Sequence, residues 1–407
     1  MTGDETDRLG IYVSIPFCRS KCTYCNFASG VYPAATHARY IERVIDDLTG
    51  APVCAARFSA RLPRRVDTVY LGGGTPSLLA PALLARLFSA LRAQFHVAAD
   101  AEITVECAPG QLADGIPEAL AAAGVNRVSL GVQSFVNQEA HASGRLHDRA
   151  TVENDLLRLR AVGITNLNVD LIAGLAGQTL SSWQESLDAL IQSGVPHASI
   201  YMLEVDEDSR LGREMLKGGS RYRAALVPSD EVIAEMYECA VDRLAEAGLH
   251  QYEISNFSRP GFESRHNLRY WQRRPYLGLG LDASSMLRAA GPAAGHDRIV
   301  LRATTADDLR QYLSGPSSPD TSWISREKQH EEAWFLGLRM NAGVDIAALK
   351  LEFGAEMVEP ALETAQRIAK DGLLTIKCER VRLTARGRLI SNDVFQEFLL
   401  TNTPTLR

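Results

Sequence analysis

Residues 11–27 read IYVSIPFCRSKCTYCNF, an apolar strand that runs directly into three closely spaced cysteines. Cys18, Cys22 and Cys25 fall within eight residues, whereas the other four of the seven cysteines are scattered along the chain. One tight cluster and an odd total argue against a disulfide framework and indicate thiols that are used for chemistry. Three thiolates on one loop can bind three corners of a [4Fe–4S] cluster and leave the fourth iron open to a small molecule. The alternatives are a partial zinc site that a distant histidine completes and three unrelated thiols.

Outward from this loop, strand and helix patterns alternate through residue 205. The predicted strands are Ile11–Ile15, Val66–Leu71, Glu102–Glu106, Arg127–Gly131, Asn166–Leu171 and Ala198–Leu203. The predicted helices between them are Ala80–Gln94, Glu118–Ala123, Val152–Val162 and Leu180–Ser193. Such alternation predicts an α/β fold with a parallel sheet and right-handed crossovers. Six βα units are fewer than the eight of a closed TIM barrel, so an incomplete barrel and a doubly wound sheet both fit.

The second half of the chain is organised differently. Residues 206–228 interrupt the alternation, a helix is predicted over Asp230–Ala247, and Tyr252–Met286 is rich in glycine, aromatic residues and arginine. The last part has helical patterns at Glu327–Met340, Asp345–Phe353, Met357–Asp371 and Ser391–Leu400, and short strand candidates at Leu373–Lys377 and Val381–Thr384. Helices followed by a small hairpin are typical of a winged helix. We therefore expect a core domain over 1–228, an α+β extension over 229–315 and a winged-helix-like domain over 316–407.

The composition is that of a globular protein. The chain has 407 residues, 46% of them hydrophobic, and 43 Lys and Arg against 49 Asp and Glu give a net charge of −6. The apolar content excludes global disorder, and the mildly acidic balance argues against broad binding to nucleic acid. The first ten residues are polar, and no apolar run approaches the roughly 20 residues that span a bilayer. We therefore expect a cytoplasmic protein with no nucleic-acid partner.

Polar side chains and a glycine run follow the carboxyl ends of the predicted strands. Gly72–Pro76 reads GGGTP after the second strand, and its backbone N–H groups can bind a carboxylate. Glu106, Gln133 and Asp170 lie at or just beyond the third, fourth and fifth strands. Parallel βα folds bind ligands over these strand ends, so we expect the cysteine loop, the glycine loop and the polar side chains to share one site. Taken singly, each could instead be a sharp turn, a helix cap or a salt-bridge partner.

These motifs resemble the radical S-adenosylmethionine (SAM) superfamily, and within it the family related to oxygen-independent coproporphyrinogen dehydrogenase. The matching blocks keep the family's order from residue 11 to near residue 400: IYVSIPFC, YLGGGTP, TVECAPG, RVSLGVQSF, NVDLIAGLAGQT, HNLRYW and RLTARGRLISNDVFQEFL. The resemblance implies a partial (β/α)6 TIM-like barrel, followed by the extension and the winged-helix-like domain. It also implies a [4Fe–4S] cluster whose open iron binds SAM. An electron donor is implied as well, since reduction cleaves SAM to a 5′-deoxyadenosyl radical.

The resemblance also implies roles for individual residues. Cys18, Cys22 and Cys25 match the cluster ligands. The positions that match SAM contacts are Tyr12, Gly73, Gly74, Thr75, Glu106, Gln133, Arg145 and Asp170. Asp170 could accept hydrogen bonds from the ribose hydroxyls, and Arg145 could pair with the SAM carboxylate. His266 opens HNLRYW, which matches a pattern that is implicated in heme binding in one branch of the family, although a lone histidine is more often buried and hydrogen-bonded.

Two absences point to that branch, the heme chaperones. Phe27 stands where the coproporphyrinogen dehydrogenases carry a fourth cysteine, and only 17 residues precede Cys18, fewer than their N-terminal extension needs. The branch implies that the chain binds heme and passes it to acceptor proteins such as respiratory enzymes at the membrane. The alternative is a radical SAM enzyme that decarboxylates or methylates a porphyrin or another substrate. A third class is a binding module that keeps SAM and the cluster only as structure.

The sequence departs from the branch pattern at five positions. Ser14 replaces a usual His, Ala108 an Asn, Ala173 a Tyr, Ala176 a Pro and Ser284 a His. These differences predict a different pocket lining, whereas the cysteine motif and the positions matched to SAM are unaffected.

Overall fold

The structure is a computed structural model that describes residues 7–291, 299–315 and 318–399. Its strands are β1 Arg8–Ile15, β2 Ala60–Arg61, β3 Arg65–Gly73, β4 His96–Cys107, β5 Arg127–Gln133, β6 Asn166–Ala173, β7 His197–Met202, β8 His250–Gln251, β9 Asn256–Ser258, β10 Tyr276–Leu279, β11 Ser284–Ala289, β12 Val300–Thr304, β13 Asp320–Ile324, β14 Val344–Asp345, β15 Leu374–Lys377 and β16 Arg380–Leu383. Its α-helices are α1 Ala34–Arg57, α2 Pro81–Gln94, α3 Ile116–Ala122, α4 Asn137–Ala142, α5 Arg149–Ala161, α6 Leu180–Ser193, α7 Arg210–Leu216, α8 Asp230–Glu246, α9 Arg265–Trp271, α10 Leu309–Leu313, α11 Arg326–Arg339, α12 Ile346–Phe353, α13 Ala355–Lys370, α14 Ala385–Leu389 and α15 Ser391–Leu399. Short 3-10 helices occupy Pro76–Leu78 and Arg221–Leu226.

The main sheet is built around a parallel run in the order β10-β1-β3-β4-β5-β6-β7. From β1 to β7 the strands of this run lie side by side in chain order. In a doubly wound sheet the strand order would reverse at one point. Right-handed crossovers then place the helices on one face, and the sheet curls as in a barrel. Antiparallel strands extend both ends, and within the described residues the path from β13 to β8 does not close. The predicted α/β fold with a partial TIM-like barrel is confirmed.

Each strand predicted in the barrel is present, but several other elements of this part were not predicted, and two of them show why. Helix α1, of 24 residues, is one of them; Gly50 and Pro52 interrupt its sequence pattern, yet Tyr40, Ile41 and Val44 on its apolar side are fully buried. The other is β10, which pairs in parallel with β1 although more than 250 residues separate them in the chain. The contacts that place both elements are tertiary, which is why local sequence patterns did not indicate them.

Two hydrophobic cores underlie this arrangement. The larger core packs the outer face of the barrel strands against α1, α2, α5, α6 and α8 and against the stretch between β10 and α10. The smaller core joins α11, α12, α13 and α15 to the three-stranded sheet β14-β16-β15, as expected for a winged-helix-like domain. The domain boundaries themselves stay predictions, and the one before residue 316 falls outside the described residues.

The loop after β3 packs directly on the chain that leaves β1. The Thr75 N–H donates to the Phe17 carbonyl oxygen at 2.7 Å. A Cβ atom at Gly74 would lie 2.6 Å from the Ile15 carbonyl oxygen and 2.9 Å from that of Phe17. Only glycine therefore lets these two backbone segments approach so closely.

Substitution Gly74→Ala is expected to destabilise the protein by about 1–3 kcal/mol, because the added methyl group would meet backbone atoms that cannot rotate away. The matched control is Gly50→Ala in α1, where an added Cβ would have no atom within 4 Å. Because alanine favours a helix over glycine, that variant should gain up to about 1 kcal/mol. Thermal unfolding of both proteins checks the pair, and equal melting temperatures would contradict the packing described here.

Candidate functional site

The cysteine loop follows the carboxyl end of β1 and is held in place by backbone hydrogen bonds. The Cys18 N–H donates to the Gly30 carbonyl oxygen at 2.9 Å, and the Thr23 N–H donates to that of Ser143 at 3.0 Å. The Thr23 carbonyl oxygen in turn accepts from the Leu211 N–H at 2.8 Å. Three separate segments of the chain thus hold the loop over the sheet.

All three thiols of this loop are partly accessible and free of disulfide bonds. Burial raises the pKa of Cys18, and the nearby Cys25 and Cys22 raise it further, whereas hydrogen bonds from Ser29 and Thr75 oppose the shift. Among the described residues, no group of three or more His, Cys, Asp or Glu side chains is arranged to hold a metal ion. A structural zinc ion usually takes four protein ligands, whereas a [4Fe–4S] cluster with one open iron takes three thiolates. The loop therefore suits a cluster better than a structural zinc ion.

The glycine loop lies beside the cysteine loop, as the sequence predicted. Gly73 has a φ of +92°, which favours glycine, and a Cβ there would lie 2.8 Å from Ser14 Oγ and 3.2 Å from the Tyr12 hydroxyl. Thr75 Oγ1 lies 3.9 Å from Cys18 Sγ. The structure thus brings Tyr12, the glycine loop and the first cysteine together.

The inner face of the barrel is polar, which the individual motifs did not reveal. Successive inner positions on β4, β5 and β6 alternate with buried apolar residues that face the helices. The inner residues are Glu102, Thr104 and Glu106 on β4, Arg127 and Ser129 on β5, and Asn166, Asn168 and Asp170 on β6. Parallel strands buried on both faces are usually apolar throughout, so this period-two polarity was a readable signal for a polar barrel interior.

Glu106 is the acidic group at the upper end of this interior. The Tyr70 hydroxyl donates to Glu106 Oε1 at 2.8 Å. Burial raises the pKa of Glu106 to about 7, and the Asp170 carboxylate adds to the rise, while the bonds from Tyr70 and the Gly73 backbone oppose it. A carboxylate in this state can ionise in response to a bound cation at neutral pH.

Arg145 and Gln133 provide further polar groups at the same level. Arg145 Nη2 donates to the Tyr24 hydroxyl at 3.3 Å, so it connects the helix α4 region to the cysteine loop. Gln133 has a φ of +70°, a conformation uncommon for a residue other than glycine. Arg145 Nε and Gln133 Oε1 are buried and lack a protein partner in the described part of the chain. Buried polar atoms of this kind fit a polar ligand, and SAM offers a carboxylate, an ammonium group and hydroxyls.

Asp170 belongs to a connected network on the adjacent strands. Ser129 Oγ donates to Asp170 Oδ2 at 3.1 Å, and Asn168 Nδ2 donates to Oδ1 at 2.7 Å. Burial raises the pKa of Asp170, and the hydrogen bonds from Ser199, Asn168 and Ser129 act against that rise. The network fixes the orientation of the carboxylate toward the barrel interior.

His266 lies on α9 against the inner face of β3, and only 1% of it is exposed. Its Nδ1 is 2.8 Å from Thr68 Oγ1, and its Nε2 is 2.9 Å from the Tyr270 hydroxyl. The ring stacks on Tyr70, and burial lowers the pKa of His266 to about 3, so the imidazole is neutral. The His266 side chain therefore lies against Tyr70, whose hydroxyl donates to Glu106, and both of its ring nitrogens are hydrogen-bonded.

The five departures from the branch pattern are divided between the site and its surroundings. Ser14 lies directly under the glycine loop, next to Gly73. Ala108, Ala173 and Ala176 are buried. Ser284 is exposed on β11, where its hydroxyl is 3.1 Å from that of Thr304. Ser14 is thus the departure that alters the surroundings of the loops directly.

A parallel open barrel with a three-cysteine loop and a glycine loop at its strand ends defines a radical SAM protein. The family model of the radical SAM superfamily matches residues 12–190, and that of the HemN C-terminal domain matches residues 324–390. The solved structure of coproporphyrinogen III oxidase (HemN) from Escherichia coli superposes with a TM-score of 0.78 at 24% identity, covering 96% of this chain and 90% of that one. At this identity the similarity establishes the shared fold.

Curated relatives match over nearly the whole length. Heme chaperone HemW of Lactococcus lactis is 33% identical, covering 96% of this chain and 97% of the relative. Heme chaperone HemW of Escherichia coli is 31% identical, with 96% and 98% covered. The bovine radical S-adenosyl methionine domain-containing protein 1, mitochondrial, is 34% identical, with 83% and 75% covered. The chain belongs to the HemW family within the radical SAM superfamily.

A radical SAM domain implies a [4Fe–4S] cluster and SAM as cofactors. The three thiols, the close glycine loop and the unpartnered Gln133 and Arg145 atoms fit these groups. In the described part of the chain, no helix has the length and hydrophobicity to span a bilayer.

The charge state of Glu106 is expected to make SAM binding depend on pH. SAM carries a cationic sulfonium, so it should bind more tightly as Glu106 ionises and the pH rises from about 6 to 8 through the pKa of about 7. Calorimetric titration of reconstituted protein would compare wild type with Glu106→Gln. The ratio of the wild-type affinity to the Glu106→Gln affinity should grow with pH, because glutamine cannot ionise; a constant ratio would contradict this role.

In the ligand-free protein, the raised pKa means that Glu106 contributes less stability as the pH rises from about 4.5 to 7.

Proposed function

We propose that this chain is a [4Fe–4S]- and SAM-binding heme chaperone, which binds heme and transfers it to acceptor proteins such as respiratory enzymes. The observation that carries the proposal is the exposed Phe27, two positions after the third cysteine and beside the loops that match the cluster and SAM positions of the family. Full-length similarity to proteins named heme chaperones supports the same conclusion.

In this proposal Cys18, Cys22 and Cys25 hold the cluster. The bound cluster would offer an open iron to SAM and would pass on an electron that it receives from a donor protein. Gly73, Gly74 and Thr75 bind the methionyl part of SAM with their backbone. The other positions matched to SAM surround the pocket at the inner strand ends: Tyr12, Glu106, Gln133, Arg145 and Asp170. Arg145 pairs with the SAM carboxylate, and Glu106 balances the positive charge of SAM. Both side chains lie at the level of the glycine loop.

His266 is the proposed heme contact in the HNLRYW motif. Its ring would have to release the Tyr270 hydroxyl or Thr68 before either nitrogen could reach heme iron. The C-terminal domain contacts the same helix region, since Arg273 donates two hydrogen bonds to Glu352 at 3.0 and 2.7 Å. The Arg339 guanidinium also stacks over Trp271, 4.3 Å from the ring centroid. We infer that movement of this domain gates access to α9. The chain would act in the cytoplasm and meet its acceptors at the membrane.

A radical SAM enzyme that acts on a porphyrin is the second candidate. The observation in its favour is that the cluster loop, the glycine loop and the polar strand ends are all retained. The absence of a cysteine at position 27 argues against decarboxylation of coproporphyrinogen.

Each of the variants Cys18→Ser, Cys22→Ser and Cys25→Ser is expected to lose the [4Fe–4S] cluster, because a three-ligand site has no spare thiolate. The matched control is Cys378→Ser, at an exposed position in the C-terminal domain. Iron and sulfide contents after anaerobic reconstitution measure the outcome. Retention of a full cluster in any of the three loop variants would contradict the assignment.

The chaperone function predicts saturable heme binding by the reconstituted protein and transfer of that heme to an apo-acceptor. Iron, SAM and heme would be quantified on one anaerobic sample, and binding followed through the Soret band. His266→Ala should weaken this band, whereas His250→Ala, at an exposed position, should leave it unchanged.

Reduction with dithionite in the presence of SAM and a porphyrin distinguishes the two candidates. The chaperone should release no product derived from the porphyrin. Formation of 5′-deoxyadenosine together with a modified porphyrin would establish the enzyme instead.

A further inference from the structure

A groove beside the cysteine loop has no part in the site described above. It lies between Lys21 and residues 27–32 of that loop, residues 35–39 at the start of α1 and residues 307–314 around α10, and its volume is about 920 Å³. We call it the Phe27 groove. Its size is within the range of pockets that bind cofactors and other small ligands.

Aromatic and aliphatic side chains line part of the Phe27 groove. Phe27 is 63% exposed, so most of its ring is free to contact a ligand. Tyr32 packs edge-on against Phe17 with ring centroids 6.0 Å apart, so its ring is held in place. Leu313 of α10 is half-buried at the same groove. These side chains offer an apolar surface to a ligand that would cover Phe27.

The groove also carries three cations that form no ion pair with a carboxylate of the described residues. Lys21 Nζ donates to the Phe27 carbonyl oxygen at 3.2 Å, and Arg39 Nη2 donates to that of Leu313 at 2.8 Å. Arg310 is exposed and has no ion pair or hydrogen bond within the described ranges. These three cations are therefore available to an anionic ligand.

Two carboxylates also line the groove. Asp308 accepts a hydrogen bond from the Gln311 N–H at 2.8 Å and thereby caps α10, and Asp307 lies exposed beside it. The cations outnumber the acids, and a flat apolar ligand with carboxylates at one edge would match both the apolar surface and the charge.

We propose that the Phe27 groove is the docking site for heme, with the macrocycle against Phe27 and Tyr32 and the propionates toward Lys21, Arg39 and Arg310. This inference rests on the proposed function and adds the location at which heme is first bound. It also gives a role to the residue at position 27, because the side chain that stands in place of a fourth cysteine becomes part of the heme surface. His266 is buried with both ring nitrogens hydrogen-bonded, so heme bound first in the groove would reach His266 only after one of these bonds is released.

Heme titrations of the full-length reconstituted chain, followed in the Soret region, test the groove. Phe27→Ser should weaken heme affinity about tenfold, since it removes the largest apolar contact. Its control is Leu351→Ser, because Leu351 is 91% exposed on α12, away from the groove. Arg310→Gln should weaken heme binding about two- to fivefold and leave binding of heme dimethyl ester unchanged, because the ester lacks free carboxylates. Its control is Lys377→Gln, at an exposed position on β15.

Iron content would be measured on every variant, so that a damaged cluster loop is recognised. Affinities for heme equal to wild type in both groove variants, with intact clusters, would overturn the docking site but leave the chaperone function standing. Loss of binding in His266→Ala alone, with the groove variants unchanged, would likewise overturn it. A wild-type chain that binds no heme would overturn the proposed function as well.

Discussion

The close contact between two backbone segments, the chain after β1 and the glycine loop after β3, is the constraint on which the site depends. The Thr75 N–H bond to the Phe17 carbonyl and the absence of a side chain at Gly74 let the two loops pack without intervening atoms. Cys18 lies directly after Phe17, so this contact sets its thiol beside the loop that would hold SAM. Adjacent parallel strands bring the loops together, and the hydrogen bonds from the Ser143 and Leu211 segments fix the remainder of the cysteine loop.

Beneath the loops, the barrel interior is a polar chamber rather than an apolar core. Glu106, Tyr70 and Asp170 are held by hydrogen bonds between neighbouring strands, and their burial shifts the pKa of each carboxyl group upward. A site with this electrostatic character is poised to respond to a cationic ligand. Helix α9 lies against the same face, because the buried Arg269 guanidinium pairs with the Asp67 carboxylate and His266 contacts Thr68. The C-terminal domain contacts the end of that helix region, so the site and the domain share one structural element.

Phe27 is the residue at which the resemblance to the family and the exposed surface of the structure coincide. A cysteine at this position would be one more thiol beside the cluster; phenylalanine instead leaves an apolar ring exposed at a groove lined by cations. In the proposed function, a chaperone of this family would keep the SAM-binding parts of the site and would differ from the enzyme in what lies next to them.

The sequence by itself determined the barrel strands, the helices of the C-terminal domain and the motifs at the strand ends, because hydrophobic periodicity and glycine positions are local signals. It also predicted that the cysteine loop, the glycine loop, Glu106, Gln133 and Asp170 share one end of the sheet, since parallel strands must end at the same edge. Only the tertiary structure decided that β10 pairs with β1, that Arg145 reaches Tyr24 and that His266 is buried with both nitrogens occupied. These features depend on contacts between residues more than a hundred positions apart or on how completely a side chain is covered, and neither quantity is encoded in a local pattern.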